Sequence, residues 1–329
     1  MKRRALIAGI AASAAWPLAA RTQQPAMPAI GFLGAATSKA YEPRLIPFRR
    51  ALKDVGFVDG QNVRIEYRWV ESRYERLPTL AAELVRLPVA VIVAAGGAQT
   101  ALAVKSATTK IPVVFQNGSD PVKIGLVTSL SRPDGNLTGV TNVTVETVSK
   151  RMELMRELVP GADPIGYLAN PNNPNTAILR EQMVAVSQML GRRIFVLNFA
   201  EKKDIDATFA TLVSQRIGAL VVGADPINYN LRDEIIEYAA RHAVPTMYPS
   251  RDFAEAGGLV SYGADFADVY RQVGLYTGRI LKGESPSDLP VVQSTKYELI
   301  VNNKTAKALG LEMPLSLLMR IDSVVDSEK

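Results

Sequence analysis

Residues 111–142 read IPVVFQNGSDPVKIGLVTSLSRPDGNLTGVTN, and few folds accept that order. Apolar Val113, Val114 and Phe115 follow Pro112, whose missing N–H is tolerated at the first position of a strand, and Asn117 and Gly118 close the run with turn formers. Ser119 and Asp120 precede Pro121, an N-cap residue type followed by proline at a first helical position, so the spacing predicts a helix over 122–130. A turn at 132–135 would end it, and the extended, partly β-branched stretch 137–143 would carry the chain into another half of the molecule. A buried strand that hands over to a helix through a polar corner is the unit of a parallel sheet, and such corners are where open parallel sheets bind ligands.

The same rhythm runs through the chain. Residues 29–33 form an apolar run, and 43–55 carry Leu45, Ile46, Phe48, Leu52 and Val55 on a helical period. Residues 63–69 alternate, 77–87 return to helical spacing, and 89–95 are continuously apolar, as in a strand buried on both faces. Gly96 and Gly97 open a helix over 98–107. Beyond residue 143 come a helix at 147–158, a strand at 165–169, the loop NPNNPN, and helices at 177–190, 205–215 and 230–241 interleaved with strands at 194–199, 219–222 and 244–248. A strand at 258–262, a helix at 266–281, a Ser-, Pro- and Gly-rich stretch at 283–290, a strand at 297–301 and a short helix at 306–309 end it. The pattern predicts an α/β protein of two lobes with parallel sheets: lobe I from 28–140 plus 261–290, and lobe II from 141–260 plus 291–329. Three crossovers, near Thr141, Tyr262 and Ser294, would permit hinge closure. A length of 329 residues suits about two domains, and 47% hydrophobic with 21% charged residues is a globular composition.

Composition removes several chemistries. There is no cysteine, hence no disulfide, thiol nucleophile or cysteine-held metal, and one histidine, His242, which follows a predicted helix. The net charge of +6 includes Lys2, Arg3, Arg4 and Arg21; without those four it is +2, no electrostatic footprint for nucleic acid. Gly278 and Gly283 have the spacing that begins a phosphate loop, but Glu284 stands where lysine is required, and the segment ends a helix. No G-x-S-x-G, no dinucleotide fingerprint and no regular carboxylate cluster is present. No catalytic residue, metal or cofactor is therefore expected. At the N-terminus, basic Met1 to Arg4, an apolar stretch to Ala15 and the small residues Ala19 and Ala20 read as a cleaved export signal over 1–22, with Arg3 and Arg4 compatible with either ordinary or twin-arginine export.

The candidate site residues lie in loops at predicted strand ends: Thr37 and Ser38; Gly97, Ala98 and Gln99; Ser119 and Asp120; and, from the second half, Asn170, Asn172 and Asp225. Glycines and hydroxyls before helix N-termini present N–H donors to an anion, so a carboxylate suits Gly97, Ala98 or Ser119, and Asp225 or Asp120 could take an ammonium. Taken singly, each loop is equally well read as a helix cap or a packed turn. Tyr248 and Tyr262 fall at strand ends facing the presumed cleft, where they could cover an apolar side chain. Trp69 is the only tryptophan beyond the leader, which speaks against a sugar.

The stretches AAGGAQTALAVKSATTKIPVVF, SDPVKIGLVTSLSRPDGNLTGVT, YLANPNNPNT, ARHAVPTMYPSRDFAEAGGLVSYG and GRILKGESPSDLPVVQSTKYELIVNNKTAKALGL, with the leader, resemble the substrate-binding proteins of bacterial ABC transporters, in the group similar to tryptophan- and tyrosine-binding members. The resemblance implies a type I periplasmic-binding fold, two Rossmann-like lobes joined by three hinge strands. It also implies a non-catalytic, monomeric, periplasmic protein that delivers a small-molecule ligand to an inner-membrane permease. Contacts would fall on Thr37, Ser38, Gly97, Gln99, Ser119 and Asp120 from one lobe and Asn170, Asn172, Asp225 and Tyr248 from the other, with Thr141 and Tyr262 near hinges. Gln116 and Asn117 stand where the family often has Gly or Val. A periplasmic sensory binding protein is the alternative, and a periplasmic α/β enzyme comes third. A repressor of similar fold would need a DNA-binding module where the leader stands.

Overall fold

The structure, a computed structural model, describes residues 27–142, 144–173 and 176–327, and the export signal read over 1–22 lies outside the described residues. The first lobe is built on β1 (Ala29–Gly34), β2 (Arg64–Trp69), β3 (Val89–Ala95), β4 (Val113–Asn117) and β5 (Leu137–Thr141). The second uses β6 (Ile165–Ala169), β7 (Ile194–Asn198), β8 (Ala219–Val222), β9 (Thr246–Tyr248) and β10 (Val260–Ala264). The last three strands are shared out: β11 (Val292–Gln293) joins the first sheet, and β12 (Tyr297–Asn302) and β13 (Ser323–Val325) the second. The orders are β11-β5-β4-β3-β1-β2 and β13-β12-β10-β9-β8-β6-β7, and among the described residues only β10 with β12 is antiparallel.

Helices cover both faces of each sheet. In lobe I, α1 (Ser38–Asp54) lies on one face, and α2 (Leu77–Arg86) and α3 (Ala98–Ala107) on the other. The residues on β3 explain its unbroken apolar run: Val91 and Val93 enter one core, and Ile92 and Ala94 the other. Lobe II repeats this with α4 (Thr144–Leu158), α5 (Thr176–Leu190), α6 (Ile205–Ser214), α7 (Pro226–Asn230), α8 (Arg232–Arg241) and α9 (Arg251–Glu255). The chain then returns, and α10 (Phe266–Leu281) packs along α1 in lobe I.

Two expectations change. Residues 122–130 form successive turns in place of a helix: Gly125 adopts φ 71°, and Leu126 N–H reaches back to the Pro121 carbonyl at 2.8 Å, a bond one residue too long for an α-helix. Asp120 still caps the segment, accepting from the N–H groups of Val122 and Lys123. The lobe boundaries also move. β10 pairs wholly within the second sheet, so residues 261–264 belong to lobe II and the second crossing falls at Asp265; β11 pairs with β5, so the third crossing follows Gln293.

Candidate ligand-binding site

The ends of β1, β3, β4, β6 and β8 converge on one cleft between the lobes, of about 760 Å³ including its open mouth. Its lobe I floor is set by glycine. Gly96 has φ 103°, and a Cβ there would stand 2.2 Å from the Tyr41 hydroxyl, so only glycine fits the turn. Gly97 is the N-cap of α3 with φ 125° and supplies no side-chain acceptor, which leaves the first N–H groups of that helix to whatever enters the cleft. Gln116 pins the floor. Its Oε1 accepts from Gly96 N–H at 3.1 Å and from the Tyr270 hydroxyl at 3.3 Å, while its Nε2 donates to Asn142 Oδ1 at 2.7 Å. Gly97, Ala98, Gln99 and Ser119 all line the cleft.

The remaining expected residues stand elsewhere. Thr37 caps α1, accepting from Ala40 N–H, and Ser38 begins that helix exposed to solvent. Thr141 is buried and donates to the Ser119 carbonyl at 2.9 Å, holding that loop from behind. Asn170 Oδ1 accepts from Asn172 N–H, and Asn172 is exposed beyond it. Asp225 lies behind Ala224 and Pro226, which line the cleft in its stead. Its Oδ1 accepts from Asn170 Nδ2 and Ile227 N–H, and its Oδ2 from Asn173 Nδ2 at 2.7 Å and the Tyr74 hydroxyl at 3.2 Å. A carboxylate with four donors has its acceptor sites filled, so Asp225 is a structural cap and not a bare ammonium anchor. Burial raises its pKa, and these hydrogen bonds pull it back only in part. Tyr248 is turned away from the cleft: it is buried in the core of lobe II, stacked on Phe253 at 5.1 Å. Tyr262 stacks on Tyr297 beside the crossovers.

Most of the aromatic lining went unread in the sequence. Tyr41, Tyr74, Tyr229, Phe266 and Tyr270 surround the space, with Arg44 among them. Arg44 is 5% exposed, lies 4.2 Å over the Tyr229 ring and 4.6 Å over that of Phe266, donates to the Ala40 carbonyl, and stands 3.6 Å from Asp252. Burial alone would lower its pKa, but Asp252 and the surrounding tyrosines reverse that, so it stays charged. The signal was present: Arg44 interrupts the buried stripe Tyr41, Leu45, Phe48 and Leu52 of α1, and a cation on an apolar helix face needs a partner.

Contacts cross the cleft, so the lobes are closed on each other. Tyr74 of lobe I meets Asp225, Thr37 N–H and Ser72 meet Asn230, and Arg44 meets Tyr229 and Asp252 of lobe II. Among the described residues no helix is long and apolar enough to cross a membrane, and no group of three or more potential metal ligands gathers.

Two α/β lobes of parallel strands joined by three crossovers, with a closed cleft at the sheet ends, define a type I periplasmic-binding fold. The chain belongs to the ABC transporter substrate binding protein family, whose model matches residues 44–325, and this is a family of substrate-binding proteins, not enzymes. It is 26% identical over 265 residues to the tyrosine-binding protein of Clostridioides difficile (strain R20291), covering 80% of this chain and 76% of that relative. Among solved structures, the ABC domain in complex with L-Trp from Streptococcus pneumonia is 24% identical, covers 91% of this chain and 99% of that one, and has a TM-score of 0.79. The ligand-free, open structure of a substrate binding protein with adhesive properties from Clostridium difficile is 26% identical over 92% of this chain and 100% of that one, with a TM-score of 0.63.

Proposed function

We propose that this protein is the extracytoplasmic solute-binding component of an ABC importer. It captures a small amino-acid-like carboxylate, with an aromatic or branched apolar side chain favoured, and delivers it as a monomer to a permease in the inner membrane after export and removal of the leader. The observation that carries this reading is the pairing, in one cleft, of an uncapped helix N-terminus at Gly97 with walls of Tyr41, Tyr74, Tyr229, Phe266 and Tyr270. The N–H groups of Ala98 and Gln99, with Ser119, would take the carboxylate, as helix N-termini favour anions. The rings would cover the side chain. Asp225 contributes at one remove: behind Ala224 and Pro226, its oxygens hold Asn170 and Asn173 in place. Likeness to a tyrosine-binding relative and to an L-Trp complex supports the aromatic choice. Calorimetry on ligand-stripped protein titrated with the common amino acids tests it: heat is expected with L-tyrosine or L-tryptophan, and no heat with any amino acid would reject the ligand class.

A further inference from the structure

The short helix α7 has two working sides. Ala224, Pro226 and Tyr229 of this segment line the cleft, and lobe I grips it at both ends. At its start, Asp225 accepts from the Tyr74 hydroxyl at 3.2 Å. At its end, Asn230 uses both ends of its amide: Oδ1 accepts from Thr37 N–H at 2.8 Å, and Nδ2 donates to Ser72 Oγ at 2.8 Å. Asn230 does not itself line the cleft. Ser72 and its neighbour Glu71 are both non-glycine residues in the left-handed region, at φ 64° and 58°. Two such residues in succession are costly, and such strain persists where the surroundings over-determine it. Here the Ser72 N–H is tied to the Ala35 carbonyl at 2.8 Å, and its hydroxyl is presented across the gap to Asn230.

We propose that Asn230 is a positioning residue that sets ligand affinity and residence time by latching α7 to lobe I in the closed state, without touching the ligand. The proposal rests on the reading that a small carboxylate binds in the cleft. Parting of the lobes must break both of its bonds, and a ligand whose binding requires closure is weakened by the factor that closure loses. Loss of two neutral hydrogen bonds corresponds to about tenfold in affinity.

The test uses mature full-length protein as wild type, Asn230→Ala, Asn230→Asp, Ser72→Ala and the double variant Asn230→Ala/Ser72→Ala, with L-tyrosine and L-tryptophan as probes in calorimetry and stopped-flow fluorescence. Asn230→Ala is expected to weaken binding about tenfold, chiefly through faster dissociation. Asn230→Asp keeps an acceptor for Thr37 N–H and can accept from the Ser72 hydroxyl, so it restores most of the affinity. Ser72→Ala weakens binding from the opposite lobe and adds little in the Asn230→Ala background. Unchanged affinity and dissociation in Asn230→Ala, or full additivity of the two alanine variants, overturns the latch. If the wild type binds neither probe, the ligand reading is what has failed. The latch is then judged by small-angle scattering on ligand-free protein, where a larger radius for Asn230→Ala than for wild type supports it and equal radii overturn it. A Ser72→Ala variant with wild-type melting shows that any loss is not misfolding.

Discussion

Replacing Gly97 with alanine separates the cost of a backbone conformation from the cost of a lost ligand contact. Gly97 sits at φ 125° and ψ 175°, a region essentially reserved for glycine, so Gly97→Ala should destabilise the fold by about 1–3 kcal/mol. The added methyl meets no protein atom within 4 Å, so in a cleft-lining residue it projects into the space a carboxylate would fill. Displacing the carboxylate from the α3 N–H groups removes charge-assisted hydrogen bonds worth about 1.5–3 kcal/mol, or about 10- to 150-fold in affinity. The matched control is Gly56→Ala. Gly56 has φ 97° in the exposed turn after α1, a Cβ there also meets nothing within 4 Å, and it is no part of the cleft. Both variants should melt earlier than wild type, by calorimetric scanning, and only Gly97→Ala should lose affinity for L-tyrosine or L-tryptophan in titration. Wild-type affinity in a folded Gly97→Ala protein would refute carboxylate binding at α3, and an equal loss in both variants would show that affinity merely follows stability.

The remaining outcomes are briefer. Scattering of ligand-stripped protein should give a smaller radius once L-tryptophan saturates it, and an unchanged profile would count against hinge closure about the crossovers at 142, 265 and 294–296. Tyr74→Phe removes the hydroxyl that lobe I donates to Asp225 and should weaken ligand binding about three- to tenfold with little change in melting temperature, read by calorimetry. Burial raises the folded pKa of Asp225 above its unfolded value, so its contribution to stability is fully present below the unfolded pKa and is lost as pH rises through the folded one. The stability margin of wild type over Asp225→Asn should accordingly be larger at about pH 4 than at about pH 7 in urea denaturation. N-terminal sequencing of protein from the periplasm should begin between Arg21 and Gln24, whereas intact Met1 on soluble cytoplasmic protein would exclude export.

The fold was legible because both faces of each sheet are buried, which writes strands such as β3 as unbroken apolar runs and helices as amphipathic stripes. Strand ends were legible for the same reason, and four of the cleft residues, Gly97, Ala98, Gln99 and Ser119, follow from them. Side-chain direction was not. β9 is three residues long, and alternation sends Met247 into one core and Tyr248 into the other, so an aromatic correctly placed at a strand end still faced away from the cleft. Asp225 was found as a polar strand-end residue, but its four donors come from Tyr74, Asn170, Asn173 and Ile227, as much as 151 residues away, and no local pattern records such a gathering. Residues 122–130 failed as a helix through Gly125, Ser129 and Ser131, which favour turns and outweighed the cap at Asp120.

Among the described residues the contacts across the cleft are unequal in strength. Lys39 and Asp233 approach to 3.7 Å, but with the Lys39 side chain 88% exposed the pair is screened and contributes little. Arg44 makes its bridge to Tyr229 and Asp252 in a buried setting, where its cation–π contact is worth about 0.5–2 kcal/mol and the desolvation of the ion pair offsets much of its attraction. Two hydrogen bonds at Asn230 and one at Tyr74 add about 0.5–1.5 kcal/mol each. Together these terms amount to a few kcal/mol, comparable with the cost of ordering the loops that make them. On these magnitudes the differential binding energy of a ligand such as the one proposed above would be enough to decide closure.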